Sequence, residues 1–401
     1  MTTPQNALLI GCGIAGPAMA LFLQQVGIAA EIYEAQPGAL DEAGAFLNLA
    51  PNGVNILKTL GIDPLQDTDG FHSTGMAFFN GKGKRLAFID SRNETERFGS
   101  QNVMIKRGQL HRVLRDEALR RGIPVHFGKK LTAIQRNGFQ GVTARFADGT
   151  EANGLFLIGC DGLHSRTRQL TFPNAPQPAY TGMVDCGGFA YCHPADLPAS
   201  GAMQMTFGKK AFFGSIAKPD GEVYWFSNVA WPNEPQRDEL KAISDEVWRL
   251  RLLQNHASDP EPIPTILKST PGEIGRWPVY DMPSLRTWHQ GPVCLIGDAA
   301  HATSPHSGQG ASLALEDAAV LAQCLRDSLK TETAFARFER LRKERVEKIV
   351  QQARRTGNGK MVTNPVAVWF RDLMLPFFIR MGAKAAEPVL AYQVNWDEEV
   401  A

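Results

Sequence analysis

The chain has 401 residues, 21 % of them charged, and a formal net charge of +1. That length supports a large core and two domains, while near-neutral charge without a basic, aromatic-interleaved stripe argues against a nucleic-acid binder. The six scattered cysteines form no CxxC pair and no metal-spaced cluster with histidine, which excludes a metal site and reads as reduced thiols of a cytoplasmic protein.

The first apolar run, Ala7–Ile10, is short and leads directly into glycines, so no secretory signal is expected. GCGIAG follows, then a pattern with Leu21, Phe22 and Val26 at helical spacing and Gly27 at its end. AAEIYEA alternates as a second strand ending in Glu34. Strand, glycine turn, helix, strand and acid make up a dinucleotide-binding fingerprint. Gly11 permits the tight turn, Gly13 lets backbone approach a pyrophosphate, and Gly16 lets the helix pack on the strand. The helix N-terminus offers free amides and partial positive charge to phosphate. Glu34 is placed to accept from ribose hydroxyls and to disfavour a 2′-phosphate.

Lys106–Leu119 reads as an amphipathic helix with Arg107 at its start. Residues 155–168, LFLIGCDGLHSRTR, read as a buried strand followed by Asp161, Gly162, Ser165 and Arg168, a pattern that a capped helix also explains. Between Tyr180 and Trp277 short alternating runs separated by turns predict an antiparallel sheet rich in aromatics. GDAAHATSPHSGQG then places Asp298 at a strand tip and crosses a Pro/Gly loop before a long helix from Ala311. Thr333–Arg355 predicts a long amphipathic helix. No apolar stretch reaches the roughly 20 residues that span a bilayer. Val366–Met381 comes nearest, interrupted by Arg371, Asp372 and Pro376, and is expected to be a packing helix, with an interfacial helix as the alternative.

The GxGxxG at Gly11–Gly16, the DGxxSxxR at Asp161–Arg168 and the GD of Gly297-Asp298 with its Pro305 and Gly308-Gln309-Gly310 recur together. So does the segment Ala43–Gly61. In order and spacing these resemble the single-component FAD-dependent aromatic hydroxylases, the para-hydroxybenzoate hydroxylase-like monooxygenases. The resemblance implies an α/β fold: a Rossmann-like FAD-binding domain (1–75, 101–179 and 280–330) and an inserted antiparallel-sheet substrate domain (76–100 and 180–279). A C-terminal helical segment (331–401) follows. It implies FAD contacts at Gly11, Gly13, Ile14, Ala15, Gly16, Glu34, Ala35, Arg107, Leu131, Asp298, Pro305, Gly308, Gly310 and Ala311, with Asp298 on the ribityl chain. The helix from Ala311 would point its N-terminus at the isoalloxazine ring and stabilise reduced flavin. Asp161, Gly162 and Arg168 form the motif that the family associates with FAD and the nicotinamide donor. Met205, Phe207, Phe213 and Trp225 are the candidates for an apolar substrate pocket, and His306 for a catalytic base.

No second GxGxxG is present to make a separate nicotinamide domain. The resemblance therefore implies transient reduction by NADH or NADPH, reaction with O2 to a flavin C4a-hydroperoxide, and transfer of one oxygen atom to an aromatic or polyketide-like molecule. The expected assembly is a monomer or homodimer without stable membrane insertion. The alternatives are another FAD enzyme of the same fold (an epoxidase, Baeyer–Villiger oxygenase, reductase or halogenase) and a non-catalytic FAD-binding protein.

Overall fold

The computed structural model describes residues 6–39, 41, 45–138, 141–198, 200–236, 238–358 and 365–400, without the side chains of 306, 355–358, 365–369 and 371. A six-stranded sheet runs in the order His289–Gln290, Val293–Leu295, Phe156–Gly159, Asn6–Ile10, Ala29–Tyr33, Val125–His126. Every pair but the first is parallel. Asn6–Ile10 is the fourth strand of that order yet the first in the chain, so the strands on either side of it run out to the two halves of the sheet. The point where strand order reverses lies at its carboxyl end, where open α/β sheets place ligands.

Parallel strands are buried on both faces and need cover on each. On one side the three-stranded antiparallel sheet Leu131–Arg136, Val142–Phe146 and Glu151–Gly154 packs Leu131, Val142, Ala144 and Phe146 against Leu8, Ile10 and Leu157. On the other lie the helices Ala15–Gln25, Arg107–Arg120 and Gly310–Arg326, whose Leu21, Leu110 and Leu321 join Leu9 and Ile158 in the largest core cluster.

A seven-stranded sheet forms the second layer system: Gly275–Asp281, Ala179–Tyr191, Glu222–Ala230, Phe212–Ala217, Met203–Phe207, Gly75–Asn80, Arg85–Asp90. It is antiparallel except where Met203–Phe207 pairs parallel to Gly75–Asn80, a strand from much earlier in the chain. Alternation divides its side chains between two faces. One face carries Val184, Phe213, Trp225 and Val229 beneath the short helices Asp245–Asn255 and Ile263–Lys268, with Trp248, Leu252 and Ile266 filling the gap. Ser227 Oγ, His256 and Asp259 also lie there, linked by 2.9 and 2.7 Å hydrogen bonds. The order is that of a hydrolase triad, but Ser227 and His256 are sealed from solvent and the Phe213 ring meets the imidazole edge-on. The relay is a cross-link between helix and sheet. The opposite face presents Met203, Ile216 and Tyr224, backed by Phe189, Met205 and Phe226, to Phe46 and Met104 of the two-stranded ribbon Phe46–Leu49/Val103–Lys106.

Helices Thr331–Asn358 and Pro365–Leu390 follow. The last residues return to the first helix: Trp396 packs its ring 4.8 Å from that of Phe22, and Arg326 donates to the Trp396 carbonyl at 2.6 Å.

Candidate active site

Asn6–Ile10 ends in a turn that only glycine fits. Gly11 sits at φ +106°, and a Cβ there would lie 2.6 Å from the Cys160 carbonyl oxygen. A Cβ on Gly16 would come within 2.0 Å of the Gly11 oxygen. Gly13 differs, since a Cβ there would meet nothing within 4 Å, so its glycine leaves space rather than relieving contact inside the chain. Helix Ala15–Gln25 begins beside that space with no side chain capping it, which leaves Ile14 and Ala15 with first-turn amides for an anion. Glu34 accepts from the Cys12 amide and the Gln36 amide, both at 2.8 Å. The carboxylate thus shapes the turn, keeping lone pairs for a further donor. Burial, reinforced by Glu34, pushes the Cys12 thiol up to about 12, so it stays a neutral thiol. Ala35 is exposed beyond Glu34.

The far glycine loop meets this turn in space. A Cβ on Gly297, at φ +57°, would approach the Ala15 Cβ to 3.4 Å and the Ala314 Cβ to 3.2 Å. Asp298 follows as the first residue of one helical turn, Asp298–His301. It is exposed, and no partner holds its carboxylate among the described residues. The stretch expected to be open loop contains this turn and a 3-10 turn, Pro305–Ser307, and the long helix starts at Gly310. Gly308 lies at φ +60° with open space beside it, and Ala311 is half-buried in the uncapped first turn. Ser304 Oγ in the same loop is buried without a partner among the described residues. The side chain of His306 lies outside the described residues.

Buried charges hold the loop. Asp317 accepts from the Gly297 amide at 2.9 Å, pairs with His301 at 2.5 Å and takes the Arg342 guanidinium at 2.8 Å. Burial pushes the Asp317 carboxyl up, but His301 and Arg342 outweigh it and hold the group at about 2. Asn52 donates to Gln309 at 3.0 Å and to Glu316 at 2.6 Å, tying helix Pro51–Thr59 to the glycine loop.

The DGxxSxxR segment is held together by its own side chains. Asp161 accepts from Ser165 Oγ at 2.5 Å and from the Thr167 amide at 2.8 Å, and Ser165 caps the helix Arg166–Thr171. Arg168 is 1 % exposed and donates to the carbonyls of Ala299 and Leu163 at 2.8 and 2.6 Å. Buried there, the guanidinium ties this segment to the Asp298 turn. Gly162, at φ +75°, makes the turn between strand and helix. Leu131 is likewise core, 4 % exposed in the three-stranded sheet. Arg107 is exposed at the start of its helix, with its amide on the Ala45 carbonyl at 3.0 Å. Burial, then the Arg107 charge, push the His111 imidazole one turn later down to about 4.

The register of the large sheet corrects two of the four pocket candidates. Phe213 and Trp225 stack at 5.6 Å on the helix-covered face, with Trp225 Nε1 donating to Thr270 at 2.9 Å. They are core. Met205 and Phe207 lie on the opposite face, with Phe207 against Phe212 at 5.0 Å. That face also holds residues that sequence reasoning missed. Lys106 and Lys218 donate to the two oxygens of Glu222 at 2.6 and 2.7 Å. Their ammonium groups lie 5.5 and 5.1 Å from the centre of the Tyr224 ring, and Lys106 is also 4.8 Å from that of Phe189, within cation–π range. Burial pushes Glu222 up, but the lysine hydrogen bonds prevail and hold it below the usual carboxylate range. Two cations sharing one carboxylate leave the cluster with a net positive charge. The Tyr224 hydroxyl is fully buried and faces the Lys218 ammonium.

A phosphate-accepting turn with its ribose-side acid, met by a second glycine loop bearing an uncommitted carboxylate, defines a dinucleotide-binding oxidoreductase. Residues 5–353 match the family described as FAD binding domain, and the chain belongs to that family. It is 31 % identical to an aurachin C monooxygenase/isomerase of Stigmatella aurantiaca, across 94 % of each chain. It is also 31 % identical to an FAD-dependent urate hydroxylase of Klebsiella pneumoniae, across 92 % of this chain and 94 % of that one. Among solved structures it is similar to a Klebsiella pneumoniae protein complexed with FAD and uric acid, at 27 % identity over 96 % of each chain with a TM-score of 0.86. A salicylate hydroxylase substrate complex shares the fold (23 % identity, 98 % of this chain and 99 % of that one, TM-score 0.75). The chain is an enzyme of the FAD-dependent monooxygenase class.

Proposed function

We propose that this enzyme inserts one oxygen atom of O2 into an electron-rich aromatic or polyketide-like small molecule, most simply as a hydroxylation, with NADH or NADPH as the transient electron donor. The observation that carries the reading is the meeting of the two glycine turns around open space, beside a carboxylate that the fold leaves unused. FAD fits that space, and when bound it supplies the redox and oxygen-activating chemistry.

The chain's own residues have separable tasks. Amides at the start of helix Ala15–Gln25 and the space over Gly13 hold the pyrophosphate, Glu34 takes the adenosine ribose, and Asp298 accepts from the ribityl hydroxyls. The amides opening helix Gly310–Arg326 stabilise negative charge on the ring system. Met205, Phe189, Phe226 and Tyr224 offer an apolar floor for a planar substrate and exclude water from it. Lys106, Lys218 and the Tyr224 hydroxyl beside them make one end of that floor cationic and hydrogen-bonding, which suits an acidic ring oxygen or a carboxylate. Relatives named for urate and for 6-hydroxynicotinate support that chemistry. His306 remains the proposed base for a phenolic proton.

The test is a screen of aromatic and polyketide-like compounds for stimulated NAD(P)H oxidation by the flavin-loaded enzyme, with product mass measured. Gain of a single oxygen supports the reading. Stimulated oxidation that yields only hydrogen peroxide with every compound refutes it.

A further inference from the structure

We propose that the outward face of the terminal helix, Pro365–Leu390, docks reversibly on an anionic lipid surface. Phe370, Leu373, Met374, Phe377, Phe378 and Met381 recur at three- and four-residue spacing, so they form one stripe. They are exposed to between 43 % (Met374) and 61 % (Phe377). Isolated exposed apolar side chains are ordinary, but six along three turns of one helix form a continuous patch of the kind that marks an interaction site.

The helix's described acids are already engaged: Asp372 accepts from Asn80 at 3.0 Å, and Glu387, 46 % exposed, is paired with Arg97 at 2.6 Å. Among the described side chains its remaining exposed charges are both positive, Arg380 at the edge of the stripe and Lys384 one turn beyond it. The face offered to a partner is therefore apolar and cationic.

Charge decides the occupant. A second copy of the chain would bring the same face, and with both described acids already paired, neither orientation of the paired helices gives Arg380 and Lys384 an unpaired anion. Anionic headgroups supply one for each cation, while the Phe, Leu and Met side chains enter the acyl boundary. Among the described residues no helix is long and apolar enough to cross a membrane, so the contact lies in the interface plane. The helix packs against the strand Arg85–Asp90 at the edge of the substrate sheet, which would hold that sheet beside the lipid.

The experiment is flotation of the flavin-loaded enzyme with vesicles of phosphatidylcholine alone and of equal parts phosphatidylcholine and phosphatidylglycerol. Binding to the anionic vesicles, falling in roughly half-molar salt, is expected. Phe377→Ser with Phe378→Ser should weaken it by about tenfold or more. Arg380→Gln with Lys384→Gln should abolish the preference for phosphatidylglycerol. In both cases NAD(P)H oxidation in solution stays unchanged. An enzyme that never floats with anionic vesicles overturns the proposal. So does a dimer in solution that the Phe377→Ser, Phe378→Ser variant splits, because the stripe then belongs to a second copy.

Discussion

Gly13 and Gly16 stand three residues apart in one turn, yet alanine at each should fail for opposite reasons. At Gly16 the new methyl would lie 2.0 Å from the Gly11 carbonyl oxygen, about 1.4 Å inside ordinary contact. The helix would have to lift from the strand, an overpacking cost of about 1–3 kcal/mol. At Gly13 the methyl meets no atom of the chain within 4 Å. The backbone there is not left-handed, so the unliganded protein should be unchanged or up to about 1 kcal/mol more stable. The same methyl stands where a pyrophosphate would approach the amides. Losing one hydrogen bond to a charged phosphate costs about 1.5–3 kcal/mol, roughly a tenfold to hundredfold weaker hold on FAD. Thermal melts of the flavin-free proteins and FAD titrations followed by flavin fluorescence separate the two effects. Gly13→Ala should melt like the parent and bind FAD poorly, whereas Gly16→Ala should melt lower. A Gly13→Ala protein that binds FAD with parental affinity refutes the cradle.

Asp298→Asn should leave the flavin-free melt untouched, since no protein group uses that carboxylate, and should weaken FAD by about tenfold for a lost charged hydrogen bond; the same titration reads it. Asp317 titrates at about 2 when folded, against an ordinary value near 3.8, so the unfolded chain binds its proton first on acidification. Its stabilising contribution is complete above about pH 4 and is lost as pH falls towards 2. Urea midpoints measured across that window should fall for the parent and flatten for Asp317→Asn, which should also lose about 3–5 kcal/mol at neutral pH by stranding Arg342. Phe213→Ala should cost about 3–5 kcal/mol of stability and leave KM for a stimulating aromatic unchanged. Tyr224→Phe should keep the melt and raise KM, and the reverse pattern in denaturation and steady-state assays would return Phe213 to the pocket.

Local sterics made the first glycine turn legible. Only glycine tolerates the Cys160 and Gly11 carbonyls at those positions, so residue identity and spacing report the geometry directly. Asp298 was legible for a related reason, as a lone acid between a buried strand and glycines. What escaped was phase. Phe212 and Phe213, or Tyr224 and Trp225, differ by one residue along a strand, and that step decides between a helix-covered core and the face towards Phe46. Aromatic content reads the same on both faces. The short helices after residue 238 decide which face is closed, and their apolar patterning is weak. Lys218 and Glu222 read as ordinary charges flanking one hairpin turn, and Lys106 went unnoticed because it reaches them from another strand through tertiary register alone. Arg168 reads as part of a cofactor motif or of a capped helix, and its bonds to the Ala299 and Leu163 carbonyls appear only in the folded chain.

The packing of Trp396 on Phe22 ties the order of synthesis to the order of assembly. During translation the nucleotide-binding helix leaves the ribosome long before Trp396 does, and it must wait for that distant segment before this part of its surface is covered. A nascent chain therefore carries an unfinished flavin half, and cofactor capture becomes a late event. Removing the segment around Trp396 would strip helix Ala15–Gln25 of this cover, so loss of yellow colour would follow damage far along the chain from the nucleotide turn.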